Sequence, residues 1–134
     1  MSLKHAQHNE KASILLLSSN TYYDWVITTS FYAALHYVEF ALFPFKMDGI
    51  KFIDFNTYHA FSINRNKPKY SKHKSLSMLF ELKHPRGSFY YQWLFEQCMH
   101  VRYTNYQVSK ETAILSINYL NELKKIMGIS SEAI

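Results

Sequence analysis

The segment TYYDWVITTSFYAALHYVEFALFP, residues 21–44, constrains the fold more than any other part of the chain. It runs without glycine or proline until Pro44, and its apolar side chains recur at helical spacing. Trp25, Thr29, Tyr32, His36, Glu39 and Phe43 fall on one stripe, and Val26, Ala33, Tyr37 and Phe40 fill a neighbouring one. A helix that is apolar on several faces must be covered on several sides, so it runs through the middle of a bundle. Pro44 marks its end, because proline has no amide hydrogen to donate to the preceding turn.

The rest of the chain supplies the cover. Residues 4–18 read as a first helix, with Ala6, Ala12, Leu15 and Leu16 near helical spacing, and SSNT then offers capping side chains. A third helix begins near Ser71 and carries Leu76, Leu79 and Phe80 inward until KHPRG breaks it. The fourth runs from about Ser88 to Tyr103, with Tyr91, Leu94, Phe95, Cys98 and Val101 on its apolar side. The last, roughly 109–127, has Ser109 as N-cap and Glu111 near the positive end of the helix dipole. Ala113, Ile117, Leu120 and Met127 line its buried face, and Gly128 stops it. Three glycines and three prolines are too few for a many-turned β protein. The expected fold is all-α, an up-and-down bundle of about five helices, forming one domain over residues 1–134. Residues 45–71 read as a long irregular connection, in which FNTYHAFSI is a candidate short helix.

Charge concentrates in that connection. Residues 46–74 carry seven lysines or arginines against two aspartates, which accounts for the whole net charge of +5. Two readings stand: a surface for an anionic partner such as RNA, or a solvated loop that keeps the protein soluble. One cysteine, Cys98, excludes an intrachain disulfide and reads as a buried, inert thiol. No run of 18 apolar residues and no secretion-type leader is seen, so a cytoplasmic protein with no membrane partner is expected. Dinucleotide and phosphate-cradle glycine motifs and HExxH are missing, so no cofactor and no metal are expected. His36 and Glu39 could face one helical metal site, but one such pair supplies too few ligands, and a buried His–Glu hydrogen bond is the simpler reading. His5 and His8 read as an exposed pair.

Three pieces together resemble a known family. DWVITTSFYAALHYVEFAL is similar to the second helix of HEPN domains (higher eukaryotes and prokaryotes nucleotide-binding), with its aromatic-Tyr-Ala core followed by a histidine and an acid. SKHKSLSMLF resembles the family's His-led third helix, and HVRYTNYQVSKETA its Arg-aromatic-Tyr junction between the last two core helices. The order fits over roughly residues 10–126. The resemblance implies a small helical bundle that dimerises and serves in toxin–antitoxin, phage-defence or RNA-processing settings. Its partners would be a second copy, RNA or a nucleotide, or a cognate toxin or antitoxin.

Many HEPN members are metal-independent ribonucleases built on an arginine followed four to six residues later by a histidine. This chain departs from that pattern. No histidine follows Arg102; from Arg65 the next is His73 with seven residues between, and from Arg86 the next is His100 with thirteen. The expected function is therefore a non-catalytic module that binds RNA, a nucleotide or a partner protein. Its candidate site residues are Arg102, Tyr106, His73, Lys72, His36 and Glu39, and none is assigned a catalytic role. The alternatives are a divergent ribonuclease that recruits His73 or His59 toward Arg102, and a purely structural dimerisation or antitoxin-like domain. For Arg102 itself, a phosphate contact stands beside a structural role at the helix end, paired with Glu96 or an acid of the last helix.

Overall fold

The computed structural model describes residues 2–65 and 70–129. Among them the chain forms six α-helices and one small antiparallel hairpin: α1 (Ser2–Ser18), α2 (Tyr23–Leu42), β1 (Phe45–Met47), β2 (Ile50–Phe52), α3 (Phe55–Arg65), α4 (Lys72–Lys83), α5 (Ser88–Tyr103) and α6 (Lys110–Ile126). A single 3₁₀ turn, Pro85–Gly87, joins α4 to α5 where KHPRG interrupts the apolar pattern. The all-α bundle is thus as expected, with one helix more than the five.

Helix α2 is the axis, and α1, α5 and α6 pack around it. Ten of its twenty residues are buried, among them Val26, Phe31, Ala33, Tyr37 and Val38. Two details correct the expected stripes. Phe40 is 45% exposed and Trp25 is 52% exposed, so the stripe Trp25–Tyr32–His36–Glu39 turns partly to the surface instead of into the bundle. The small residues Ala33 and Ala34 permit the close approach of the neighbouring helices that the buried stripe needs.

Local signals account for the helix ends. Ser71 and Ser109 accept hydrogen bonds from the backbone amides of Lys74 and Thr112, as N-caps do. Gly128 adopts φ +73°, and the amides of Gly128 and Ile129 return to the carbonyls of Lys125 and Lys124 in a Schellman closure.

Residues 45–71 differ from the irregular connection expected. Met47-Asp48-Gly49-Ile50 makes a two-residue hairpin turn with positive φ at Asp48 and Gly49, the backbone that an Asp-Gly pair favours. Phe45 pairs with Phe52 across the hairpin, and both are buried with Phe55 against Tyr58. This aromatic cluster makes the segment a small annex to the core. The short helix read in FNTYHAFSI is α3, capped by Asp54, whose Oδ1 accepts from both the amide and the hydroxyl of Thr57. Lys67 and Lys69 of the basic cluster lie outside the described residues.

The deepest polar contacts tie α1, α2 and α6 together. Lys124 and Glu10 are each 2% exposed, and Lys124 Nζ donates to both carboxylate oxygens at 3.0 and 3.1 Å. The Tyr37 hydroxyl donates to the same carboxylate, and its ring lies beneath the ammonium at 5.1 Å. One turn away, the hydroxyls of Ser13, Ser30 and Ser116 form a second buried chain across the same three helices.

Candidate functional site

Four of the six nominated residues meet in one place. His36 and Glu39 from α2, with Lys72 and His73 from the first turn of α4, line a cleft of about 430 Å³. His5 from α1 and Asp54 from the start of α3 complete its walls. The geometry follows from the outward turn of the α2 stripe and from the Ser71 cap, which sets the first turn of α4 against it.

The His36–Glu39 pair is looser than the hydrogen bond expected. His36 Nδ1 and a Glu39 oxygen are 3.7 Å apart, with both side chains about one-quarter exposed. The His36 ring is also engaged edge-on by His5 of α1, with centroids 5.0 Å apart. Burial lowers the pKa of His36 below the ordinary histidine value, and the charge of His5 adds to this. Burial raises the Glu39 carboxyl, aided by Asp54 and opposed by Lys72. His73 is also lowered, first by burial and then by the positive charge of Arg102. The Nδ1 atoms of His36 and His73 have no hydrogen-bond partner among the described residues.

Arg102 is not paired with Glu96, which takes a hydrogen bond from Gln92 instead, nor with an acid of α6. Its Nη1 donates to the Tyr32 hydroxyl, while the guanidinium lies 5.0 Å from the Tyr103 ring centre and 5.7 Å from that of Tyr32. Tyr32 stands one turn before His36 on the same stripe. Arg102 is therefore anchored by aromatics at the surface, and the His73 ring, which feels its charge, packs on Phe95 at 5.1 Å.

Tyr106 lies elsewhere. It is 67% exposed and lines a separate hollow of about 470 Å³ with Tyr22, Tyr23 and Gln107. His59, weighed as a recruit to Arg102, is instead stacked on Phe55 at 5.6 Å with Nδ1 3.2 Å from the Ser75 hydroxyl. Cys98 is fully buried, and burial raises its thiol pKa, which suits an inert thiol.

Sequence reasoning missed His5, Asp54 and Tyr32. A signal existed for Asp54, because an Asp followed three residues on by Thr at a helix start is a cap pattern. None existed for His5, whose role depends on how α1 lies on α2. Among the described residues no group of three or more His, Cys, Asp or Glu side chains is placed to hold a metal. No helix among them is long and apolar enough to cross a membrane.

Comparison with known proteins returns no match: no protein-family model fits the chain, and no curated protein or solved structure is significantly similar to it.

Proposed function

We propose that this chain is a non-catalytic, HEPN-like binding module, homodimeric, whose ligand is RNA or a nucleotide, in a toxin–antitoxin or phage-defence setting. The observation that carries the reading is the cleft lined by His36, Glu39, Lys72 and His73, together with the exposed, tyrosine-anchored Arg102, whose charge is felt at His73. A guanidinium held by aromatic rings at a fixed position is suited to a phosphate, and its exposure leaves it free to make that contact. The cationic head of α4, with Lys72 and Lys74 and no acid in its first turn, adds a second site of positive potential.

The test is fluorescence anisotropy of a short labelled single-stranded RNA, titrated at low and moderate salt. Binding should weaken with salt, and Arg102→Ala should weaken it further and flatten the salt dependence by about 0.7 in log–log slope for the lost phosphate contact. A flat titration by the wild-type chain would remove RNA as the ligand and shift weight to a partner protein. Light scattering that finds a monomer would remove the dimer.

A second reading has one observation in its favour. Burial, and then the charge of Arg102, lower the His73 pKa, which favours the neutral imidazole that a general base needs although the sequence motif is broken. In that reading His73 takes the proton of an RNA 2′-hydroxyl as its oxygen bonds to the adjacent phosphorus, Arg102 stabilises the phosphorane charge, and the P–O5′ bond breaks with a proton from water going to the 5′-oxygen, leaving a 2′,3′-cyclic phosphate. Time-dependent shortening of the RNA, lost in His73→Asn, would establish it.

A further inference from the structure

Glu39 is the odd group in the cleft. Its side chain is about three-quarters buried, and its one ion-pair contact among the described residues is with His36 Nδ1 at 3.7 Å, beyond hydrogen-bond range. A partly desolvated carboxylate that no protein group among them serves as donor is open to a ligand that brings donors in place of water. The contrast lies within the same protein: Glu10, more deeply buried, has donors from both Lys124 and Tyr37.

The polar atoms around Glu39 are also left open. His36 Nδ1 and His73 Nδ1 are buried and without partners among the described residues, and so is the hydroxyl of Tyr91, a residue only 2% exposed. Burial, and then the charge of Glu39, hold the proton on that hydroxyl, so it remains a donor. Tyr91 lines a hollow of about 200 Å³ on the other side of His73 from the cleft. The second carboxylate of the wall, Asp54, spends Oδ1 on the cap of α3.

Which ligand offers donors to such a wall follows from the edges of the bases. Adenine and cytosine each present one amino group beside an unprotonated ring nitrogen that repels a carboxylate. Uracil presents one N–H between two carbonyls. Guanine alone places two donors side by side, N1–H and the 2-amino group, matched to the two oxygens of one carboxylate. A cleft of about 430 Å³ is of the size that takes such a ligand.

We infer that this cleft is a guanine pocket: Glu39 accepts from N1–H and the 2-amino group of a guanosine nucleotide, and the nucleotide's phosphate faces the cationic head of α4 at Lys72. This deepens the nucleotide-binding function proposed above and rests on it. It assigns base selection to Glu39 and leaves Arg102 to the backbone of any longer strand.

The experiment is calorimetric titration of the full chain with GMP, IMP and AMP. IMP differs from GMP by the 2-amino group alone. GMP should bind at least fivefold more tightly than IMP and AMP, and Glu39→Gln should abolish that preference while its melting temperature stays near that of the wild type. The same comparison in a five-nucleotide RNA, with guanosine or inosine at the centre, tells a free nucleotide from a strand as the source. Equal binding of GMP and IMP in both formats, or a preference that survives in Glu39→Gln, would overturn the guanine pocket and leave nucleotide binding standing. No binding of any nucleotide or RNA would remove both.

Discussion

Replacing Lys124 with methionine tests the core of the bundle most directly. Lys124 and Glu10 are each 2% exposed, and the ammonium gives hydrogen bonds to both carboxylate oxygens. Lys124→Met removes the charge with little change in volume and leaves Glu10 with the Tyr37 hydroxyl as its remaining donor among the described residues. Breaking one side of a buried ion pair costs about 3–5 kcal/mol, because the surviving charge stays desolvated. Unfolding entropy of about 2.1 cal/mol/K per residue makes each kcal/mol worth about 3–4 °C in a chain of 134 residues. Thermal unfolding by circular dichroism at neutral pH should therefore fall by about 10–18 °C. The double variant Glu10→Leu/Lys124→Met should recover part of that loss, since an apolar pair has no charge to desolvate, while the buried Tyr37 hydroxyl, left without its acceptor, retains a cost of about 1–3 kcal/mol. A single variant melting within about 3 °C of the wild type would refute the reasoning, as would a double variant no more stable than the single one.

Other consequences are simpler. Gly87→Ala would set a Cβ 2.7 Å from Phe80 Cζ and 3.2 Å from Leu123 Cδ2, and Phe80 is fully buried, so denaturant titration should show a loss of about 1–3 kcal/mol. His36 and His73 both have folded-state pKa values lowered by burial, so the unfolded chain binds more protons below about pH 6.5. Stability should hold above that pH and decline as pH falls through the lowered folded values; melting curves between pH 7 and pH 5 that stay level, or are unchanged in His36→Asn/His73→Asn, would count against it. Lys83→Ala should loosen the hairpin, because Lys83 Nζ lies 4.9 Å from the centre of the Phe45 ring; hydrogen exchange should quicken at Met47 and Ile50, the pair that closes the turn, while α2 stays protected.

The helices were legible because their signals are local. The span of α5 matches the expected Ser88–Tyr103, and the caps at Ser71 and Ser109 and the glycine stop at Gly128 stand where their residue types demand. The hairpin was legible too, in the Asp48-Gly49 pair between apolar residues, but length and charge made the segment read as loop. The candidate site was legible by half. His36 and Glu39 share a stripe and Lys72 and His73 open a helix, so each pair was visible, whereas their meeting in one cleft was not.

By itself the sequence determined where the chain turns helical and where it stops, because a 3.6-residue period, a capping hydroxyl and a left-handed glycine act over a few residues. It also determined that α2 would be central, since a helix that apolar requires neighbours on several sides. Tertiary structure decided which stripe of α2 would face outward, and with it the site. Arg102 reaches Tyr32 across 70 positions, and Lys124 reaches Glu10 across 114. No local preference specifies such pairs. They exist because the packing of α1, α5 and α6 on α2 places those side chains within hydrogen-bond distance, where desolvation makes each donor require its acceptor.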